Sequence, residues 1–106
     1  MIKFSTTDRH RKNLASPQQQ WRRDIHRCRV ARFAGHRLVA KPSHHETWTL
    51  YYLGFYSQEF GSLESAQSTA PDFARQVLEY MIKLIDSGSV DSILGSVHVV
   101  VRSAGG

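Results

Sequence analysis

Basic residues are concentrated in one stretch of this chain. Between positions 22 and 41 there are seven Arg and Lys residues and a single acid, Asp24. The seven are Arg22, Arg23, Arg27, Arg29, Arg32, Arg37 and Lys41. A guanidinium group presents its donors in a planar fork that matches phosphate or carboxylate, and each phosphate neutralised by a cation releases a counterion. These seven residues are therefore the candidate binding site, and the chemistry they predict is recognition of an anion.

The remaining charges sharpen this pattern. Residues 1–45 hold eleven of the fourteen Lys and Arg residues and two of the nine acids, whereas residues 46–106 hold three basic and seven acidic residues. A basic region of this density indicates a polyanionic or acidic partner. Two partners remain open, the phosphate backbone of a nucleic acid and an acidic protein surface. A solvated face that merely keeps a small protein soluble would carry the same charges.

Aromatic residues follow the basic stretch and offer a second kind of contact. Six of them lie between positions 48 and 60: Trp48, Tyr51, Tyr52, Phe55, Tyr56 and Phe60. Because side chains alternate along a strand, about half of these belong to the core. We expect Tyr51 and Tyr56 to remain outside, beside the arginines, as interface residues commonly do. This pattern favours the alternative function, a protein-binding inhibitor or adaptor of the phage or mobile-element type.

Metal-binding and catalytic patterns are weak. His44, His45 and Glu46 form the densest cluster of possible ligands, but neighbouring side chains of an extended segment point to opposite sides and suit one ion poorly. Cys28 has no evident base and orienting group of the kind that a nucleophile needs. The glycines are scattered and form no phosphate loop. We therefore expect no metal, no cofactor and no enzymatic activity.

Size and composition predict one small domain. The chain has 106 residues, a single cysteine and no apolar run long enough to span a membrane, which is typical of a cytoplasmic protein without membrane contact. A second copy of the chain is a further candidate partner. The expected organisation is a flexible basic arm over 1–15, an α+β domain over 16–102 and a frayed C-terminus over 103–106.

Local patterns predict the secondary structure. Ser16 before Pro17 is typical of a helix start, which predicts a helix to about residue 25. Alternating residues, with a turn at Ala34-Gly35, then predict a three-stranded antiparallel meander. Its strands are expected at 27–33, 37–41 and 47–53. A final strand is expected at 97–101.

Helical periodicity dominates the second half of the chain. A short helix is expected at 63–68, and Pro71 is expected to begin a longer helix to about residue 86 with Thr69 as its N-cap. One apolar stripe is expected to face the sheet, formed by Phe73, Ala74, Val77, Leu78, Met81, Leu84 and Ile85.

These elements predict an α+β fold. A small, mainly antiparallel sheet of three to four strands packs on one long C-terminal amphipathic helix, and a short helix precedes the sheet. If 27–33 pairs with 37–41, Arg27 and Arg29 share an outer face with Arg37 and Lys41. The sequence therefore predicts a small non-enzymatic module that binds nucleic acid through an Arg-rich β-hairpin.

Overall fold

The computed structural model describes residues 1–88 and has an α+β fold. Its elements are α1 (Asp8–Ala15), β1 (Arg22–Arg23), a short 3-10 helix (Ile25–Arg27), β2 (Arg29–Phe33), β3 (His36–Pro42), β4 (Trp48–Tyr52), β5 (Phe55–Phe60) and α2 (Leu63–Ser87). The strands form one antiparallel sheet in sequence order, and α2 packs on one of its faces. The predicted fold class is confirmed, although the sheet has five strands. The strand predicted at 97–101 and the C-terminus at 103–106 lie outside the described residues.

Two tight turns organise the meander. Ala34 and Gly35 have φ values of 53° and 80°, and Leu53 and Gly54 have values of 50° and 86°. Two consecutive left-handed residues are typical of the two-residue hairpin whose twist matches that of the flanking strands. The first turn confirms the predicted hairpin. The second adds β5, which the polar Ser-Gln-Glu run at 57–59 concealed in the sequence.

The N-terminal helix lies earlier in the chain than predicted. The Thr7 hydroxyl accepts a hydrogen bond from the backbone N–H of His10 at 3.2 Å and caps α1. Ser16 is the C-cap of the helix. It precedes Pro17, and a residue before a proline disfavours the helical conformation. The predicted helix over 16–25 is therefore wrong, since that segment contains β1. Residues 8–15, expected to belong to a flexible arm, are helical instead.

Gln18 connects α1 to the sheet. Its side-chain amide donates to the carbonyl oxygens of Asn13 at 2.8 Å and Ser16 at 2.9 Å, while its side-chain oxygen accepts from the backbone N–H of Gly35 at 3.0 Å. A Cβ atom at Gly35 would lie 3.0 Å from Cδ2 of Leu14. The missing side chain therefore lets α1 approach the β2–β3 turn closely.

The C-terminal helix is continuous through Pro71. Its N-cap is Ser62, whose hydroxyl accepts from the backbone N–H of Ser65 at 3.0 Å. The predicted break before Pro71 and the predicted N-cap at Thr69 are therefore wrong. The helix ends as expected at Gly88, whose φ of 72° suits a left-handed C-cap.

Small side chains of α2 define the contact with the sheet. The buried residues of this helix are Ala66, Ala70, Ala74, Val77 and Tyr80. The sheet contributes Ala31, Phe33, Leu38, Ala40, Leu50 and Tyr52 to the same core. Tyr52 donates a hydrogen bond to the carbonyl oxygen of Phe33 at 2.6 Å, and its burial raises the pKa of its hydroxyl. The alanines, spaced four residues apart, hold the helix on the sheet on both sides of Pro71.

The predicted apolar stripe of α2 is only partly correct. Ala74 and Val77 are buried, but Met81 is 37% exposed and Ile85 is 81% exposed. Tyr80 is buried instead, with its ring edge-on to Phe55 at a centroid distance of 5.6 Å. The alanines set the rotation of the helix, so its line of contact with the sheet passes through Tyr80 rather than through Met81 and Ile85.

Candidate functional site

The register of the sheet divides the seven basic residues between its two faces. Successive strand residues point to opposite sides, and those that alternate with the core residues face away from α2. We call this side the outer face. By the observed pairing it carries Arg22, Val30, Arg32, Arg37, Val39, Lys41, Thr49, Tyr51, Tyr56 and Glu59. Four of the seven predicted site residues are thus brought together.

The other three basic residues lie elsewhere. Arg29 is paired with Ala40, a core residue, and so faces the side of α2. Arg23 is paired with Arg29 and shares that side, while Arg27 lies in the 3-10 helix before β2. The predicted outer face shared by Arg27 and Arg29 with the β3 cations is therefore wrong. The orientation of β2 is set by Ala31 and Phe33, whose burial in the core between the sheet and α2 excludes the opposite orientation.

A row of directly paired residues crosses the middle of the outer face. It runs from Arg22 through Val30, Val39 and Tyr51 to Tyr56. The two tyrosines are 41% and 43% exposed, as expected, and their ring centroids lie 6.0 Å apart. The outer face therefore presents an accessible pair of aromatic rings on neighbouring strands.

Cations flank this row on both sides. Arg32 is paired with Arg37 on one side, and Lys41 is paired with Thr49 on the other. Arg37 forms an ion pair of 2.6 Å with Asp24, at the end of β1, and this pair crosses β2 because β2 lies between β1 and β3.

Two carboxylates oppose the four cations of the outer face, and both have partners. Asp24 is bound to Arg37, and Glu59 accepts a hydrogen bond from the hydroxyl of Thr47 at 3.1 Å. Within residues 1–88, Arg22 and Lys41 are exposed and make no ion pair. These two cations are therefore the ones most available to an anion.

The remaining basic residues line a cleft of about 280 Å³. Its walls are formed by Arg23, Asp24, Arg27, Arg29 and Trp48. The guanidinium carbon of Arg29 lies 5.9 Å from the ring centroid of Trp48, within the range of a cation–π contact. This cleft was not predicted, although the sequence contains a signal for it. Adjacent strand residues such as Arg22 and Arg23 must point to opposite faces.

The histidine cluster lies in the loop between β3 and β4. His44 and His45 are exposed, with ring centroids 4.0 Å apart. Across residues 1–88 no group of three His, Cys, Asp or Glu side chains is arranged to hold a metal ion. Cys28 is half-buried and unpaired with another cysteine.

The outer face and the cleft are the two candidate binding sites in the described residues. In the part of the chain that the structure describes, neither helix has the length and apolar character needed to cross a bilayer. The cavity beside the β1 edge, of about 300 Å³, opens between Pro17, Trp21 and Arg32 and adjoins the outer face.

No protein-family model matches the chain, and no curated protein or solved structure shows significant similarity to it.

Proposed function

We propose that this protein is a small, non-enzymatic module that binds nucleic acid through the outer face of its sheet. One observation carries the proposal: Arg22, Arg32 and Lys41 share a sheet face that α2 leaves uncovered with an exposed pair of tyrosines. Cations that contact phosphates beside aromatic rings that stack on bases are the two components of sequence-tolerant nucleic-acid binding.

Single strands are the preferred form of the ligand. The bases of a duplex are stacked on one another, so their faces are not accessible to Tyr51 and Tyr56. A single strand can place a base on this pair while its phosphates follow the cations of β2 and β3. Arg37 contributes less than the others because Asp24 already neutralises it.

Fluorescence anisotropy with a labelled oligonucleotide of mixed sequence at low salt tests this proposal. Tyr51→Ala removes one stacking surface and should weaken binding by about 1–3 kcal/mol, the usual value for a base on an aromatic ring. Phe4→Ala is the control, since Phe4 is a 90% exposed aromatic residue that precedes α1 and belongs to no strand of the sheet. This control should bind like the wild type.

The cations are tested with a second pair of variants. Arg22→Ala with Lys41→Ala removes two charges from the outer face and should weaken binding, whereas Arg75→Ala with Lys83→Ala removes two charges from α2 and should have less effect. Equal losses for the two double variants would show that only net charge matters and would refute the outer face as the site. Absence of binding by the wild type would favour the acidic protein partner instead.

A further inference from the structure

We propose that the cleft of Arg23, Arg27, Arg29 and Trp48 is a second binding site, separate from the outer face, and that it takes a phosphate group. The cleft lies on the other side of the sheet from the tyrosine pair, since Arg23 and Arg29 face the side of α2. It is an anion site whether or not the outer face binds nucleic acid.

The charges of the cleft are not balanced within the described residues. Arg23 lies directly opposite Arg29, and like charges in this position of a sheet destabilise the strand pair. In residues 1–88 neither Arg23 nor Arg27 has an ion-pair or side-chain hydrogen-bond partner. The one carboxylate in the wall, Asp24, is bound to Arg37 on the outer face. An anionic ligand would supply the missing countercharge.

The turn that carries Arg27 is held in an unfavourable conformation. His26 and Arg27 have φ values of 54° and 65°, and residues other than glycine adopt this left-handed conformation only at an energetic cost. Hydrogen bonds between Asp24 and Cys28 (2.9 Å) and between Cys28 and Ile25 (3.0 Å) close the turn. The strained backbone places Arg27 at the cleft, and backbone strain of this kind is concentrated at functional sites.

The guanidinium group of Arg29 is also held in place in the ligand-free protein. One guanidinium nitrogen donates to the carbonyl oxygen of Arg27 at 2.8 Å, and the group lies over the ring of Trp48. A guanidinium fixed in this way loses little conformational freedom when it binds an anion. Three forked donors around one cleft suit the several oxygens of a phosphate group better than the two oxygens of a carboxylate.

The indole N–H signals of the two tryptophans provide a direct test. Trp48 lines the cleft and Trp21 does not, so each reports on a different place in the molecule. ¹⁵N-labelled protein is titrated with inorganic phosphate at constant ionic strength, and the signals are assigned with Trp48→Phe. We expect a saturable shift of the Trp48 signal, with higher affinity than any shift of the Trp21 signal, which reports on the cavity that Trp21 shares with Arg22, Arg32 and Arg37. No saturable shift at Trp48 would overturn the proposal.

Arg27→Gly separates binding from stability. Glycine accepts the positive φ, so the variant should fold at least as stably as the wild type while phosphate binding weakens about tenfold or more. Arg22→Ala, on the outer face of the same strand as Arg23, should leave the Trp48 titration unchanged. If Arg27→Gly binds phosphate as the wild type does, the cleft is not the site.

The source of the phosphate is resolved with oligonucleotides that carry either a 5′-phosphate or a 5′-hydroxyl group. A Trp48 shift with the phosphorylated form alone assigns the site to a terminal phosphate, and a shift with both assigns it to the backbone. A Trp48 shift with inorganic phosphate alone assigns the cleft to a free phosphate, while nucleic-acid binding by the outer face is decided separately by the anisotropy measurement. The two proposals therefore fail on different results.

Discussion

Two buried tyrosines in this protein differ by one hydrogen bond. Tyr52 is 1% exposed and donates to the carbonyl oxygen of Phe33, whereas the hydroxyl of Tyr80, 4% exposed, has no partner within residues 1–88. Tyr52→Phe should lower the free energy of unfolding by about 0.5–1.5 kcal/mol, the net value of such a bond. Tyr80→Phe should leave it unchanged or raise it, because an unsatisfied buried hydroxyl is removed. Urea unfolding measures both.

The two substitutions are each other's control, since both remove one oxygen from a buried ring. Equal losses would show that the Tyr80 hydroxyl also has a stabilising partner. A loss at Tyr80 alone would contradict the described packing.

Ionisation of Tyr52 gives a separate prediction. Burial raises the pKa of this hydroxyl above its usual value of 10.0, so the folded state favours the protonated form. The stability that this provides is fully present below pH 10 and is lost as the pH rises above it, by up to about 1.4 kcal/mol per pH unit. Unfolding at pH 9, 10 and 11 should show a smaller decline for Tyr52→Phe than for the wild type. Parallel declines would exclude Tyr52 as a cause.

Among the elements, α2 depends on its small residues. Ala70 is fully buried against the sheet one residue before Pro71, and Gln76 is exposed on the same helix. Ala70→Leu should cost about 1–3 kcal/mol because the larger side chain separates helix from sheet. Gln76→Leu, with the same new side chain, should stay within about 0.5 kcal/mol. Thermal unfolding of both variants checks this, and similar melting temperatures would contradict the described helix face.

Several elements could be predicted from local sequence because one strong signal decided each of them. Ala34-Gly35 supplies the left-handed turn, the aromatic and β-branched run from Trp48 predicts β4, and Gly88 ends α2. In each case the local preference and the final packing agree, which is the condition for a reliable prediction.

Other elements could not be predicted, since their local signals are ambiguous. A serine before a proline suits either the start or the end of a helix, and at Ser16-Pro17 the hydrogen bonds from Gln18 favour the end. Pro71 normally marks a helix start, but the buried alanines on both sides keep α2 continuous. Both outcomes depend on contacts between residues distant in the sequence.

At the scale of the whole molecule, the charge asymmetry could be read from the sequence, but its division between two faces could not. In β2, Val30 and Ala31 are both apolar enough for the core, so hydrophobicity alone does not choose the orientation of Arg29 and Arg32. Burial of Ala31 and Phe33 in the core between the sheet and α2 makes that choice. It places Arg32 on the same face as the tyrosine pair and Arg29 in the cleft with Trp48.

The salt dependence of oligonucleotide binding tests the outer face as a nucleic-acid site most directly. The logarithm of the binding constant should fall linearly with the logarithm of salt concentration, and each phosphate neutralised on a single strand contributes about 0.7 to the slope. The variant with Arg22, Arg32 and Lys41 all replaced by Ala should therefore have a slope flatter by about 2, with unchanged urea unfolding. An unchanged slope in this variant would show that the outer face does not contact the phosphates.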